Sequence, residues 1–331
     1  MGSDVIGQAV LEVEALDLHL DAAGRRLHVV RGLDLVLRRG EVTGLIGESG
    51  SGKTMTGLAL LRLEPDLSAV TARTLRAGGE DLLHASPAKL QSLRGSTVGM
   101  IFQDPVGAFN PAKRIGWHAR QVLRRQNRGG ADWRAQAAAM LAEVEIADAA
   151  RVLPAYPHQL SGGMLQRVLI ALVLAGGPAV VVADEPTTNL DNIVERQVLR
   201  LFRRLKHPDG AAFLFITHDM TVAASLCDRI AVMYAGELIE IGPTRALFDD
   251  PRHPYTAALI ATARALEGEA KRLPELPGEL PSPAAPRTGC AFAPRCPSVM
   301  PECTAGPIPD FTLDRGRRVR CLLNAPGDIH A

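Results

Sequence analysis

Between Val42 and Thr54 the chain reads V-T-G-L-I-G-E-S-G-S-G-K-T. Its last eight residues, Gly47-Glu48-Ser49-Gly50-Ser51-Gly52-Lys53-Thr54, have the G-x-x-x-x-G-K-[ST] spacing of a phosphate-binding loop. Glycines let successive backbone N–H groups fold inward around phosphate oxygens where a Cβ would obstruct them. The helix that follows, with Leu58 and Leu61 on one face, adds its positive end to the same anion site. Lys53 is then placed for β- and γ-phosphates, and the Thr54 hydroxyl for Mg²⁺. A dinucleotide-binding loop is the rival, since the glycines also run G-x-x-G-x-G, but it has no use for the Lys-Thr pair.

Three further stretches carry chemistry. Ala179 to Ala183 is a continuous, β-branched run that ends on Asp184-Glu185. Such runs form central parallel strands, and open α/β sheets bind ligands at strand carboxyl ends. Asp184 there suits Mg²⁺ held through water, and Glu185 suits polarising an attacking water. Phe213 to Thr217 is a second buried-strand pattern and delivers His218 in the same way. Ser161-Gly162-Gly163 opens an apolar helix stripe, with Ser161 as N-cap, and is a second anion-friendly helix start.

The remaining pattern supplies the elements that position these groups. Residues 11 to 41 alternate apolar and polar, as half-buried strands do, with turn residues at Asp21–Gly24 and Arg39-Gly40. Val98 to Phe102 is a short buried strand stopped by Pro105. From about Asn110 to Ala150 the period turns helical, broken at Gly129-Gly130, as in an insertion between core strands. Ile230–Tyr234 and Leu238–Ile241 flank Ala235-Gly236-Glu237 as a hairpin.

Composition narrows the class. At 331 residues, with 47% apolar and 22% charged residues, the chain is long enough for a large core domain plus an appendage. A net charge of +1 and 4% aromatics provide neither the basic footprint nor the stacking surface of a nucleic-acid binder. The first residues lack a signal-peptide pattern, and the uncharged stretch Leu169–Ala183 is too short and broken to span a bilayer. Five cysteines without a signal imply a reducing compartment.

Taken in order, Gly47–Thr54, Gln103, Leu160-Ser161-Gly162-Gly163-Met164-Leu165-Gln166, Val180–Glu185, Asn189-Leu190-Asp191 and His218 resemble the ATPase subunit of an ABC transporter over roughly residues 8 to 245. The resemblance implies an α/β, RecA-like P-loop core with an antiparallel β-subdomain and a helical subdomain at about 104–175, together spanning 8–248. It implies ATP and Mg²⁺ as ligands, with Thr54, Asp184 and Gln103 toward the metal and Glu185, Gln103 and His218 catalytic. It also implies two subunits sandwiching two nucleotides, so that Ser161, Gly162, Gly163 and Gln166 of one face the nucleotide of the other, with Asp191 at the seam. The implied partners are a second, paralogous ATPase subunit, two permeases and an extracytoplasmic substrate-binding protein, with no nucleic acid. That puts the chain on the cytoplasmic face of the cell membrane. Family members stack adenine on an N-terminal aromatic; residues 12 to 35 contain none, leaving His28 or Leu27 as substitutes.

Residues 249–331 are not required by the ATP chemistry. His253-Pro254-Tyr255-Thr256, a proline-rich linker (273–288) and a four-cysteine segment (289–323) resemble the tail of the oligopeptide/dipeptide/nickel importer branch. Di- or oligopeptides are the expected cargo; nickel or a metal chelate is the alternative. A soluble ABC ATPase of DNA repair or translation is the remoter one, and an iron–sulfur redox protein leaves the nucleotide motifs unexplained. Cys290, Cys296, Cys303 and Cys321, spaced C-x5-C-x6-C-x17-C, suit a four-thiolate site. Lacking a C-x2-C knuckle, they point to [4Fe–4S] rather than zinc. Four free thiols packed as small hydrophobes are the plain alternative.

Overall fold

A computed structural model describes residues 7–22, 24–188, 190–266 and 277–326. Asn189 of the expected turn and residues 273–276 of the expected linker lie outside them. The chain opens with β1 (Ala9–Ala22) and β2 (Arg25–Arg38), paired antiparallel along their lengths. Their alternation buries Leu11, Val13 and Leu16 on one strand against Leu33, Leu35 and Leu37 on the other. After β3 (Val42–Ile46) and α1 (Lys53–Leu60), a layer of short strands joins β1: β4 (Ser68–Thr71), β5 (Thr74–Ala77) and β6 (Glu80–Asp81). Helix α2 (Pro87–Leu93), capped by Ser86, leads to β7 (Val98–Ile101).

A helical block then interrupts the sheet: α3 (Ile115–Arg125), α4 (Trp133–Glu143), α5 (Ala149–Val152) and α6 (Gly162–Ala175). The chain returns through β8 (Val180–Asp184), α7 (Asn192–Leu205), β9 (Ala212–Thr217), α8 (Met220–Leu226), β10 (Arg229–Tyr234) and β11 (Glu237–Pro243). Strands β10, β3, β9, β8 and β7 are parallel neighbours in that order. Alternate residues of each enter two different cores. Val181, Ala183, Phe213 and Phe215 face the helical side, while Val180, Val182, Leu214 and Ile216 face α1 and the β1–β2 layer. Burial on both faces is why these strands read as unbroken apolar runs.

The end of the chain is docked on this core. Helices α9 (Thr244–Asp249) and α10 (Pro254–Leu266) follow β11, then a short α11 (Glu302–Ala305), β12 (Phe311–Thr312) and β13 (Arg318–Val319). Strand β13 pairs with β11 and so extends the main sheet. Glu240 of β11, 1% exposed, anchors the junction. Its carboxylate accepts from Arg317 Nη2 at 3.0 Å and from the backbone N–H groups of Arg252 and His253 at 3.0 and 2.9 Å. Among the described residues no helix is long and apolar enough to cross a membrane.

Removing the Glu240 carboxylate leaves two backbone amides without their acceptor and the shielded Arg317 guanidinium, among the described residues, with Asp250 alone. Glu240→Ala is expected to lower the unfolding free energy by about 3–5 kcal/mol in a denaturant titration. A change below 1 kcal/mol would mean that apolar packing alone seats the extension.

Candidate nucleotide site

The carboxyl ends of the parallel strands open into a cleft of about 680 Å³. Strand β3 supplies the loop, and the loop turns only because its glycines lack side chains. A Cβ on Gly47 would lie 2.1 Å from the Met233 carbonyl oxygen, and Gly52 sits at φ +103 as the N-cap of α1. Lys53 is buried, its ammonium donating to the carbonyls of Gly47 at 2.8 Å and Glu48 at 2.9 Å. Burial lowers its pKa from the ordinary lysine value, opposed by the nearby carboxylates of Glu185, Asp184 and Glu48. The Ser51 hydroxyl is buried without a hydrogen-bond partner beneath Gly47, as in a cradle built for an anion.

Asp184 ends β8 at 3% exposure. Thr54 Oγ1 donates to its Oδ1 at 3.1 Å. Burial pushes the Asp184 pKa up, and the Thr54 hydroxyl partly offsets this. A hydroxyl and a desolvated carboxylate side by side form a hard-oxygen donor set that fits Mg²⁺.

Glu185 has φ 42, a left-handed conformation a non-glycine residue adopts only under constraint. Its N–H donates to the Ile216 carbonyl on the neighbouring β9, which sets that turn. The turn aims the carboxylate into the cleft, where three side chains meet it. Thr188 Oγ1 donates at 2.8 Å, Gln103 Nε2 donates at 3.3 Å, and His218 Nδ1 lies 3.3 Å away. One cleft therefore holds the loop, Gln103, Glu185 and His218, contributed by the ends of four different strands, β3, β7, β8 and β9.

Other expected residues stand elsewhere. Ser161 caps α6, its Oγ accepting from Met164 N at 3.3 Å, and lines a separate cleft beside Gln159 and Leu160. Gly163 lets α6 and α7 close on each other, since a Cβ there would meet Val194 Cγ1 at 2.3 Å. Gln166 is buried, and Asp191 caps α7 by accepting from the N–H groups of Ile193 and Val194, each at 3.0 Å.

The expected adenine substitutes are corrected. The His28 ring is bound by Asp17 at 2.6 Å and stacked on His19, and it lines a different pocket. The neighbouring Val29, not Leu27, reaches the nucleotide cleft. The alternation of β2 turns His28 to the face opposite Val29, while Leu27, two residues before Val29, lies farther along the strand from the loop.

The four-thiolate expectation is also not supported. Among the described residues no group of three or more His, Cys, Asp or Glu is placed to hold a metal ion. Cys290, Cys296, Cys303 and Cys321 are half-buried free cysteines. Burial raises the thiol pKa values of Cys290, Cys296 and Cys321, the last to about 11, which favours thiols over thiolates. Cys227 is core, tucked against Gly44.

Sequence signals missed two residues that touch the loop. Tyr255 Oη accepts from Glu48 N–H at 2.9 Å, and Arg295 Nη1 donates to Glu48 Oε2 at 3.0 Å. Nothing local marks either as a loop contact, although both lie inside tail motifs.

Comparison with known proteins agrees with this geometry. Residues 30–188 match the ABC transporter family model, and residues 239–303 match the oligopeptide/dipeptide transporter C-terminal region. A peptide import ATP-binding protein of Brucella melitensis is 39% identical over 96% of both chains. The dipeptide transport ATP-binding protein of Escherichia coli K12 is 38% identical over 95% of this chain and 96% of its own. A solved ATP-binding cassette, dimeric and bound to ADP and Pi, superposes with a TM-score of 0.60 at 26% identity, covering 71% of this chain and 99% of that one.

The desolvated Asp184 carboxylate makes a stability prediction with a definite sign. Because its folded pKa is raised, ionising it costs stability above that pKa and costs nothing below the unfolded value. Asp184→Asn is expected to raise the melting temperature of the nucleotide-free chain at neutral pH, with the two melting curves converging as pH falls toward 4. A less stable variant at neutral pH would contradict the burial argument.

Proposed function

This chain belongs to the ABC transporter family as an ATP-hydrolysing subunit, and we propose that it drives the import of di- or oligopeptides. The observation that carries the ATP chemistry is the single cleft in which Lys53, Thr54, Gln103, Glu185 and His218 converge. Lys53 meets the β- and γ-phosphates within the loop amides, and the exposed His218 reaches the γ-phosphate. Glu185 orients and polarises the attacking water, held in position by Thr188, Gln103 and its backbone turn. Mg²⁺, when bound by Thr54 and Asp184 with Gln103 beside them, neutralises phosphate charge.

Ser161 and Met164 at the start of α6 line a different cleft from the loop, which supports a two-subunit arrangement. In it, the exposed Ser161 and Gly162 serve the nucleotide on the partner's loop, Gly163 and the buried Gln166 hold that helix start from behind, and Asp191 fixes the α7 start at the seam. The partner is a second, paralogous ATPase chain, and two permeases with an extracytoplasmic binding protein complete the importer. The chain then works at the cytoplasmic face of the membrane, attached through the permeases. Peptide cargo rests on the names of its relatives and on the tail match at 239–303. Nickel chelate is the alternative cargo, decided by which of the two the cognate binding protein captures.

Glu185→Gln is expected to bind MgATP normally and hydrolyse it about 10²–10⁴-fold more slowly in the assembled transporter. Turnover within a few-fold of wild type would remove Glu185 from its role. Lys53→Ala is expected to abolish binding of a fluorescent ATP analogue, and unchanged affinity would overturn the loop assignment.

A further inference from the structure

The cysteine-bearing tail reaches the phosphate loop. Arg295, immediately before Cys296, has a side chain only 6% exposed. Its Nη1 donates to Glu48 Oε2 at 3.0 Å and to Tyr234 Oη at 3.2 Å, while Nε donates to the Pro277 carbonyl at 2.9 Å. Glu48 is the residue after Gly47, and its two remaining backbone groups are also held. Its N–H donates to Tyr255 Oη at 2.9 Å, and its carbonyl takes the Lys53 ammonium. Tyr255, Tyr234 and Phe292 form one aromatic cluster with ring centroids 4.7 to 5.4 Å apart, all buried. On the other side of the loop, Gly236 N–H donates to the Ser51 carbonyl at 2.8 Å. The Ala235 carbonyl of that same hairpin turn accepts from Arg287 in the tail.

We infer that Arg295 is a positioning residue for nucleotide binding: through Glu48 it holds the phosphate loop in its anion-receiving shape, making the C-terminal segment part of the ATP site. This rests on the ATP reading above and deepens it. The Arg295 end of the path is held by packing and by its bonds to Tyr234 and Pro277, so the pair to the partly exposed Glu48 is only partly screened by solvent. A loop already held in one shape does not pay to order itself when the nucleotide arrives.

Hydrogen exchange of the Gly47–Thr54 amides in the full, nucleotide-free chain tests this directly. Arg295→Ala is expected to speed exchange there and to weaken MgATP-analogue binding by about tenfold, the scale of a hydrogen bond to a charged group. Arg295→Lys restores most of both. Glu48→Gln, at a residue whose side chain is 28% exposed and so tolerant of change, is expected to reproduce the loss, and the double variant to be no worse than either single one. Arg318→Ala removes a different tail anchor, the contact to Asp34, and should leave loop exchange and affinity within about twofold. Wild-type loop exchange in Arg295→Ala overturns the inference, as does full additivity with Glu48→Gln or an equal effect from Arg318→Ala. Should Arg295→Ala fail to fold, the Glu48→Gln exchange rate decides alone. The exchange readout needs no nucleotide, so a failure of the ATP assignment would show separately in the wild-type and Lys53→Ala binding curves.

Discussion

The Lys53 ammonium, shut away from water at 5% exposure, satisfies itself on the carbonyls of Gly47 and Glu48 within its own loop. A buried lysine is costly unless something negative arrives, and its pKa is already lowered by burial. Asp184 carries the opposite strain a strand away, a carboxylate pushed up by the same desolvation. The sheet forces the two together. Strands buried on both faces leave no place for polar groups except their ends, so the unpaired charges gather where β3 and β8 stop. A phosphate with a hard cation relieves both at once.

The loop has little freedom of its own. A Cβ on Gly47 would meet the Met233 carbonyl of β10 and one on Gly52 the Val29 carbonyl of β2, so these two strands confine the loop from one side. From the other side come Tyr255 and Arg295 of the C-terminal segment. That segment also adds β13 to the main sheet and seats Arg317 on the buried Glu240. The extension is therefore built into the same body as the nucleotide cleft, and two of its cysteines, Cys290 and Cys296, lie within five residues of Arg295, which reaches Glu48.

The second anion-friendly helix start has a different logic. Ser161 spends its oxygen on capping α6, and its neighbour Gly162 leaves the helix N-terminus exposed. Gly163 serves packing against α7, through its close approach to Val194. Of the two glycines in the motif, then, one keeps a surface clear and the other permits two helices to meet.

Short-range pattern alone determined a good deal here. The phosphate loop lies within eight consecutive residues, and each buried strand shows as a β-branched run because both its faces are covered, so Gly47–Thr54, Asp184-Glu185 and His218 were legible along the chain. The helical block and the β10–β11 hairpin were legible from period and from turn chemistry at Ala235-Gly236. Only the folded chain decided which residues converge: Thr54 meets Asp184 across 130 positions, and Arg295 meets Glu48 across 247. It also decided that Val29 rather than His28 faces the cleft, since strand register and not residue type sets the side of a sheet. The tail, which by its motifs has no part in ATP chemistry, lies against the loop for the same reason. Contacts between distant segments leave no periodic or spacing signal, because packing rather than local propensity creates them.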